Sequence, residues 1–246
     1  MLIGTIRVDG GTRAVRVEGD TVVELDAGDV GELLNLDSWS DLASSDGPTR
    51  DIADATWETL VPRPSKVLCV GLNYRNHILE MGRDLPEYPT LFSKFADTLV
   101  GATDDIPHPA ETTQWDWESE LVIVLGSTVR RASEEEATNA ITGFTVMNDV
   151  TARDWQFRTR EWLQGKNWDS STPVGPVMAT PDELPGGVRP ELTISASIDG
   201  ETVQSANTGD LLFDPVALVR YVSTMIRLNP GDLIRDWYPR GRGPRP

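Results

Sequence analysis

The sequence predicts a mixed α/β fold in which strands dominate, and three observations lead there. Apolar residues mostly alternate with polar ones or form short runs of strand length. Turn signals recur between those runs, at Asp9-Gly10-Gly11, Gly19-Asp20 and Asp199-Gly200. Helical patterns are few, short and dispersed, unlike the regular alternation of a doubly wound sheet.

Residues 1–62 read as a small N-terminal β-rich domain. IRVDGGTRAVRVEGDTVVEL predicts a meander, followed by the polar stretch SSDGPTRDIAD and the proline-punctuated linker VPRPSK. The larger domain, residues 66–246, begins with KVLCVGLNY, a buried strand running into a turn. RNHILEMG predicts a short helix and ESELVIVLG a strand. SEEEATNAI predicts a helix, with Ser133 and Glu136 in capping-box spacing. ITGFTVMND is a further strand, and TARDWQFRTREWL starts helical. ELTISASIDGETVQ is a hairpin around Asp199-Gly200. DPVALVRYVSTMIRL is a helix with Asp214 at its N-cap and Pro215 at its first position, and LNPGDLI turns into a last strand.

Composition narrows the function classes. The 246 residues are 39% apolar and carry a net charge of −17, which disfavours nucleic acid and anionic membrane as partners. No apolar run approaches the ~20 residues of a membrane helix, and MLIGTIRVDGG does not read as a signal peptide. Cys69 is the lone cysteine, so a reduced, cytoplasmic setting is expected. Only Lys66, Lys94 and Lys166 are lysines among 22 basic residues. An acidic, lysine-poor chain suits high salt, where screening relieves self-repulsion; a GC-rich genome would also favour arginine.

Glu118 and Glu120 lie two apart on an expected strand, so both carboxylates face one side. The apolar LVIVLG that follows makes burial, and hence a cationic partner, the expectation. Hard cations such as Mg²⁺ take carboxylate oxygens; an exposed acidic edge strand is the alternative. Asp149 ends a second apolar strand, where ligands are common. It could instead cap the next helix, although Thr151 is available for that. His77 and Glu80, three apart on an expected helix, share a face. The carboxylate would orient the imidazole and raise its pKa, as suits a general base; a plain surface pair is the alternative. His108, between Pro107 and Pro109, is expected in a surface loop without a role.

Several segments together, in order across residues 66–234, resemble the fumarylacetoacetate hydrolase family, in its acylpyruvase and 2-hydroxyhepta-2,4-diene-1,7-dioate isomerase-like branch. They are VGLNYRNHILEMG, LFSKF, DWESELVIVLG, MNDVTARDWQ, LQGKNWDSSTPVGP, IDGETVQSANTGDLLFDPVALVRYVS and LNPGDLI. The resemblance implies a β-roll-like catalytic domain, often preceded by a small N-terminal domain and usually assembled as a homodimer. It implies Glu118, Glu120 and Asp149 as ligands of Mg²⁺ or Mn²⁺, Lys166 as the active-site lysine, and His77 with Glu80 as a water-activating dyad. Tyr74, Lys94, Gln156 and Thr208 would lie near the substrate or metal. The implied substrates are 2-oxo or 2,4-dioxo acids. The implied reactions are carbon–carbon bond hydrolysis of the fumarylacetoacetate or acylpyruvate type, or isomerisation or decarboxylation of enol-diacids as in aromatic catabolism.

The tail departs from the family. After PGDLI the family has one residue and then Thr-Gly-Thr-Pro, whereas this chain reads RDWYPRGRGPRP. Read one base out of register, the degenerate codons of residues 235–246 can spell Thr-Gly-Thr-Pro-Gly-Gly-Val-Gly at the family spacing. The domain is therefore expected to be truncated or frame-shifted after about residue 234, with a divergent basic tail as the alternative. A non-catalytic family member is the competing functional expectation.

Overall fold

The computed structural model describes residues 1–236. Residues 237–246, which carry most of the anomalous tail, lie outside the described residues; Arg235 and Asp236 lie within them. The architecture is mixed α/β and strand-rich, centred on a ten-stranded sheet. In spatial order its strands are Thr49–Asp51, Thr21–Glu24, Gly11–Glu18, Leu2–Val8, Val177–Ala179, Ile141–Asn148, Ser119–Leu125, Leu233–Asp236, Val67–Gly71 and Thr90–Lys94. Neighbours are antiparallel except Leu233–Asp236 beside Val67–Gly71, which run parallel. The N-terminal meander joins this sheet through Leu2–Val8, whose Ile3 pairs with Met178.

The central strands are buried on both faces, and their alternation sorts side chains into two cores. Val67, Cys69, Val122, Val124 and Leu233 pack on one face with Ile3, Leu25 and Leu33. Val70, Leu121, Ile123 and Ile234 pack on the other, against the Glu134–Ala140 and Pro215–Met225 helices. That second layer forms because Leu218, Val219 and Val222 share one helix face.

Local chemistry sets the boundaries of these elements. Ser133 and Glu136 form the reciprocal capping box. Asp214 Oδ1 accepts from the Ala217 amide at 2.8 Å, with Pro215 opening the helix. The Thr193–Ile198 and Glu201–Asn207 strands are joined by Asp199 and Gly200, both at positive φ (50° and 83°), as a two-residue hairpin turn requires. The helical start expected around TARDWQ is a single turn, Arg153–Gln156. Ala152 precedes it without a side-chain cap, so neither Asp149 nor Thr151 serves there.

Candidate metal centre

Sheet register gathers the three acids. Glu118 immediately precedes the Ser119–Leu125 strand and Glu120 pairs with Met147, so both continue the face that carries Val122 and Val124. Asp149 follows the partner strand and donates its amide to the Glu118 carbonyl at 2.8 Å. The Asn148 side chain accepts from the Glu118 amide at 3.1 Å. All three carboxylates are fully buried, and one ligand oxygen from each lies within 4.8 Å of the others.

Burying acids in this way demands cations, and four converge. Lys166 Nζ donates to Glu118 Oε2 and Asp149 Oδ2, both at 2.5 Å. Lys94 Nζ donates to Asp149 Oδ1 at 2.7 Å and to the Lys166 carbonyl. Arg153 donates through Nη2 to Glu118 Oε1 at 2.5 Å, through Nε to Asp116 at 2.7 Å and through Nη1 to Gln156 Oε1 at 2.8 Å. Arg235 sets Nη1 against Glu120 Oε2 and Nη2 against Asp149 Oδ2. Burial alone would raise the Glu118 carboxyl, but Lys166, Arg153 and Arg235 outweigh it and hold it down at about 2. For Lys94, burial wins over Asp149 and lowers its pKa.

Close packing fixes these cations. A Cβ on Gly165 would lie 2.5 Å from the Gln156 Cβ, so the turn bearing Lys166 sits directly on the turn bearing Arg153. Trp168 packs edge-on against Trp115 and Trp155, at centroid separations of 6.0 and 5.1 Å. This ties together the three segments that carry Asp116, Arg153 and Lys166.

The other expected site residues fall into three places: the ionic cluster, a cleft and the hairpin exit. Lys94 and Gln156 belong to the ionic cluster itself. Tyr74, His77 and Glu80 line a cleft of about 230 Å³ with Asn76, Ser205, Asn207 and Asp210. His77 Nδ1 is 4.0 Å from Glu80 Oε2, and Glu80 is exposed. The expected rise in the His77 pKa is corrected. Burial lowers it, and Glu80 only partly opposes this while Arg83 adds to the lowering. Thr208 accepts from the Leu192 amide at 2.9 Å and donates to the Pro190 carbonyl, clipping the hairpin exit. His108 is exposed, with its ring 6.1 Å from Trp115.

Sequence reasoning missed Arg153, Asp116 and Arg235 as parts of the cluster. Arg153 was legible only in hindsight, as a basic residue entering a segment that ends a buried strand. Arg235 had a plainer signal: it follows the apolar Leu233-Ile234 on a central strand.

Residues 66–236 match the family model described as fumarylacetoacetate (FAA) hydrolase C-terminal. The chain belongs to this family. Over 198 residues it is 38% identical to the human mitochondrial oxaloacetate tautomerase FAHD2A, covering 80% of this chain and 62% of that protein. The chain thus spans about three fifths of the length of such curated relatives. Among solved structures, the fumarylacetoacetate hydrolase of Exiguobacterium antarcticum is 29% identical with a TM-score of 0.86, covering 98% of this chain and 87% of that one. The 2-hydroxyhepta-2,4-diene-1,7-dioate isomerase of Mycobacterium marinum is also 29% identical, with a TM-score of 0.80, covering 98% and 88%. Family members are typically enzymes: isomerases, hydrolases or tautomerases. They are generally dependent on a divalent metal, and the buried acidic triad has the all-oxygen donor set that a hard cation takes. No helix among the described residues is long and apolar enough to cross a membrane.

Proposed function

We propose that the chain acts on a small 2-oxo or 2,4-dioxo acid with Mg²⁺ or Mn²⁺ held by Glu118, Glu120 and Asp149. The buried triad carries this reading: three adjacent carboxylates at full burial need a cationic centre, and their oxygens suit a hard ion. When bound, such an ion would supply Lewis-acid polarisation of the 2-oxo group. The named relatives support proton transfer beside that group, as in tautomerisation or enol isomerisation. There a proton leaves one carbon or oxygen of the substrate and returns to another, with no carbon skeleton broken.

The chain's own groups suit that task. His77, neutral at neutral pH because burial lowers its pKa, accepts a proton at a ring nitrogen while Glu80 orients the ring. Tyr74 walls the same cleft. Lys166 carries positive charge to the edge of the triad, where it stabilises anionic oxygen on the substrate. Gln156 holds Arg153 in place, and Lys94 steadies Asp149. We place Thr208 as a support of the hairpin that borders the cleft. Hydrolytic cleavage is the second reading, favoured by the likeness to the Exiguobacterium hydrolase; His77 would then take its proton from water, whereas decarboxylation would rest on the triad. A reduced, salt-rich cytoplasm completes the reading, supported by the lone buried Cys69 and the acidic, lysine-poor composition, and the family likeness supports a homodimer.

The test follows enol oxaloacetate, acylpyruvates and enol-diacids by absorbance and product analysis at saturating Mg²⁺ or Mn²⁺. Tautomerisation or isomerisation without cleavage products is expected, and cleavage products would favour the second reading. Glu118→Gln should abolish the metal-dependent rate; full activity in that variant would remove the metal assignment. His77→Asn should slow turnover by about 10²–10⁴-fold without changing metal affinity.

A further inference from the structure

We propose that the Arg235 guanidinium is a resident cation of the carboxylate triad, competing with a divalent ion for Glu120 and Asp149. The inference rests on the metal reading above and concerns what this chain does to that site. Register puts Arg235 there: it pairs with Val122 on one side and Cys69 on the other, so its side chain leaves on the face that carries the acids. The side chain is fully buried, with its guanidinium carbon 4.7 Å from the Phe92 ring centroid. One Nη meets Glu120 and the other meets Asp149. Among the described residues, Glu120 has no other cationic partner.

Charge balance makes the same point. Glu118, Glu120, Asp149 and Asp116 are matched by Lys94, Lys166, Arg153 and Arg235, so the cluster is neutral without any ion. Adding a divalent ion with Arg235 in place would leave two uncompensated positive charges in a buried site, which is costly. A guanidinium cannot leave by losing a proton. Metal entry therefore requires Arg235 to swing out of a closed position. A neutral apolar residue at 235 would instead continue the face of Leu233 and Val122 and leave Glu120 for the ion.

The full chain, Arg235→Leu and Arg235→Gln are titrated with Mn²⁺, following the loss of the free-ion electron paramagnetic resonance signal and the shift in Tm. Both variants should bind one Mn²⁺ about 100-fold more tightly than the parent chain and gain more in Tm from it. A variant that folds only when Mn²⁺ is added also supports the proposal, because the ion then replaces the missing cation. Equal affinity in all three chains overturns this inference and leaves the metal reading standing. No binding by any of the three, with both variants folded, overturns both. Unfolding of both variants that Mn²⁺ does not reverse overturns the inference, since the guanidinium would then be irreplaceable.

Discussion

Arg7 and Arg153 each clamp two acids, yet they are different devices. Arg7 reaches Glu58 at 2.8 Å and Asp104 at 2.7 Å, with its own side chain 38% exposed and its partners 20% and 24% exposed. Arg153 reaches Asp116 at 2.7 Å and Glu118 at 2.5 Å with its side chain 4% exposed and Glu118 fully buried. Hydrogen bonds that Arg7 donates to Asp104 and then to Glu58 raise its pKa, with burial opposing them less strongly. Burial works against Arg153, and Glu118 and Asp116 must outweigh it to raise its pKa. Where water can replace a partner, an ion pair is an accessory. Where it cannot, each charge depends on the others remaining in place.

The largest predicted effect follows from that contrast. Arg153→Ala leaves Glu118 with one buried cation fewer and strips Gln156 and Asp116 of a donor. It should cost about 3–5 kcal/mol of unfolding free energy, read from urea denaturation. A loss below about 1 kcal/mol would place Arg153 in the same class as Arg7 and remove the distinction.

The three triad acids were legible in the sequence, whereas Asp116 and most of the cations were not. Glu118 and Glu120 are a local pattern, two residues apart before an apolar run, and strand alternation alone puts them on one face. The Ser133–Glu136 box and the Asp199-Gly200 turn are equally local, because their hydrogen bonds span a few residues. Arg153 meets Glu118 across 35 residues and Lys94 meets Asp149 across 55. No periodicity encodes such a contact; it follows from strand order, which brings Thr90–Lys94 to the sheet end beside Val67–Gly71. Lys166 and Lys94 were reached through family resemblance, not spacing. The direction of the His77 shift was misjudged for a related reason: the sequence shows its neighbour Glu80, but not the burial that outweighs it.

Asp236 sharpens the contrast from the opposite side, as a buried acid poorly matched by cations. Burial pushes its carboxyl well above the ordinary value of 3.8, and Asn73 and Arg235 only partly oppose this. The folded chain therefore keeps this proton to a higher pH than the unfolded chain does. For a raised carboxyl the contribution to stability is present below the unfolded value. It falls as pH rises from about 3.8 towards the raised folded value. Asp236→Asn should remove that slope and stabilise the chain at neutral pH by about 1–3 kcal/mol. Thermal unfolding between pH 5 and 8, set against the parent chain, reads both effects. Identical slopes for the two chains would show that Asp236 is ionised and matched in the fold.

Arg7 should show the smallest effect and the strongest dependence on salt. Its hydrogen bond holds the Asp104 carboxyl below the ordinary value, outweighing burial with help from the Gly101 amide. The stabilisation from that pair is therefore present above the unfolded pKa and lost as pH falls through the lowered folded value. With all three side chains partly solvated, the Arg7–Asp104 coupling should be about 0.2–1 kcal/mol at low salt. It should shrink further in molar KCl, where the Debye length is about 3 Å. A double-mutant cycle of Arg7→Ala with Asp104→Asn measures it in both conditions. The same salt should stabilise the chain as a whole, because its charge of −17 repels itself less when screened. Opposite salt responses of the pair and of the whole chain would separate local attraction from global repulsion. A coupling above 2 kcal/mol that survives in molar KCl would mean that Arg7 behaves as Arg153 does, and that exposure is the wrong way to tell the two clusters apart.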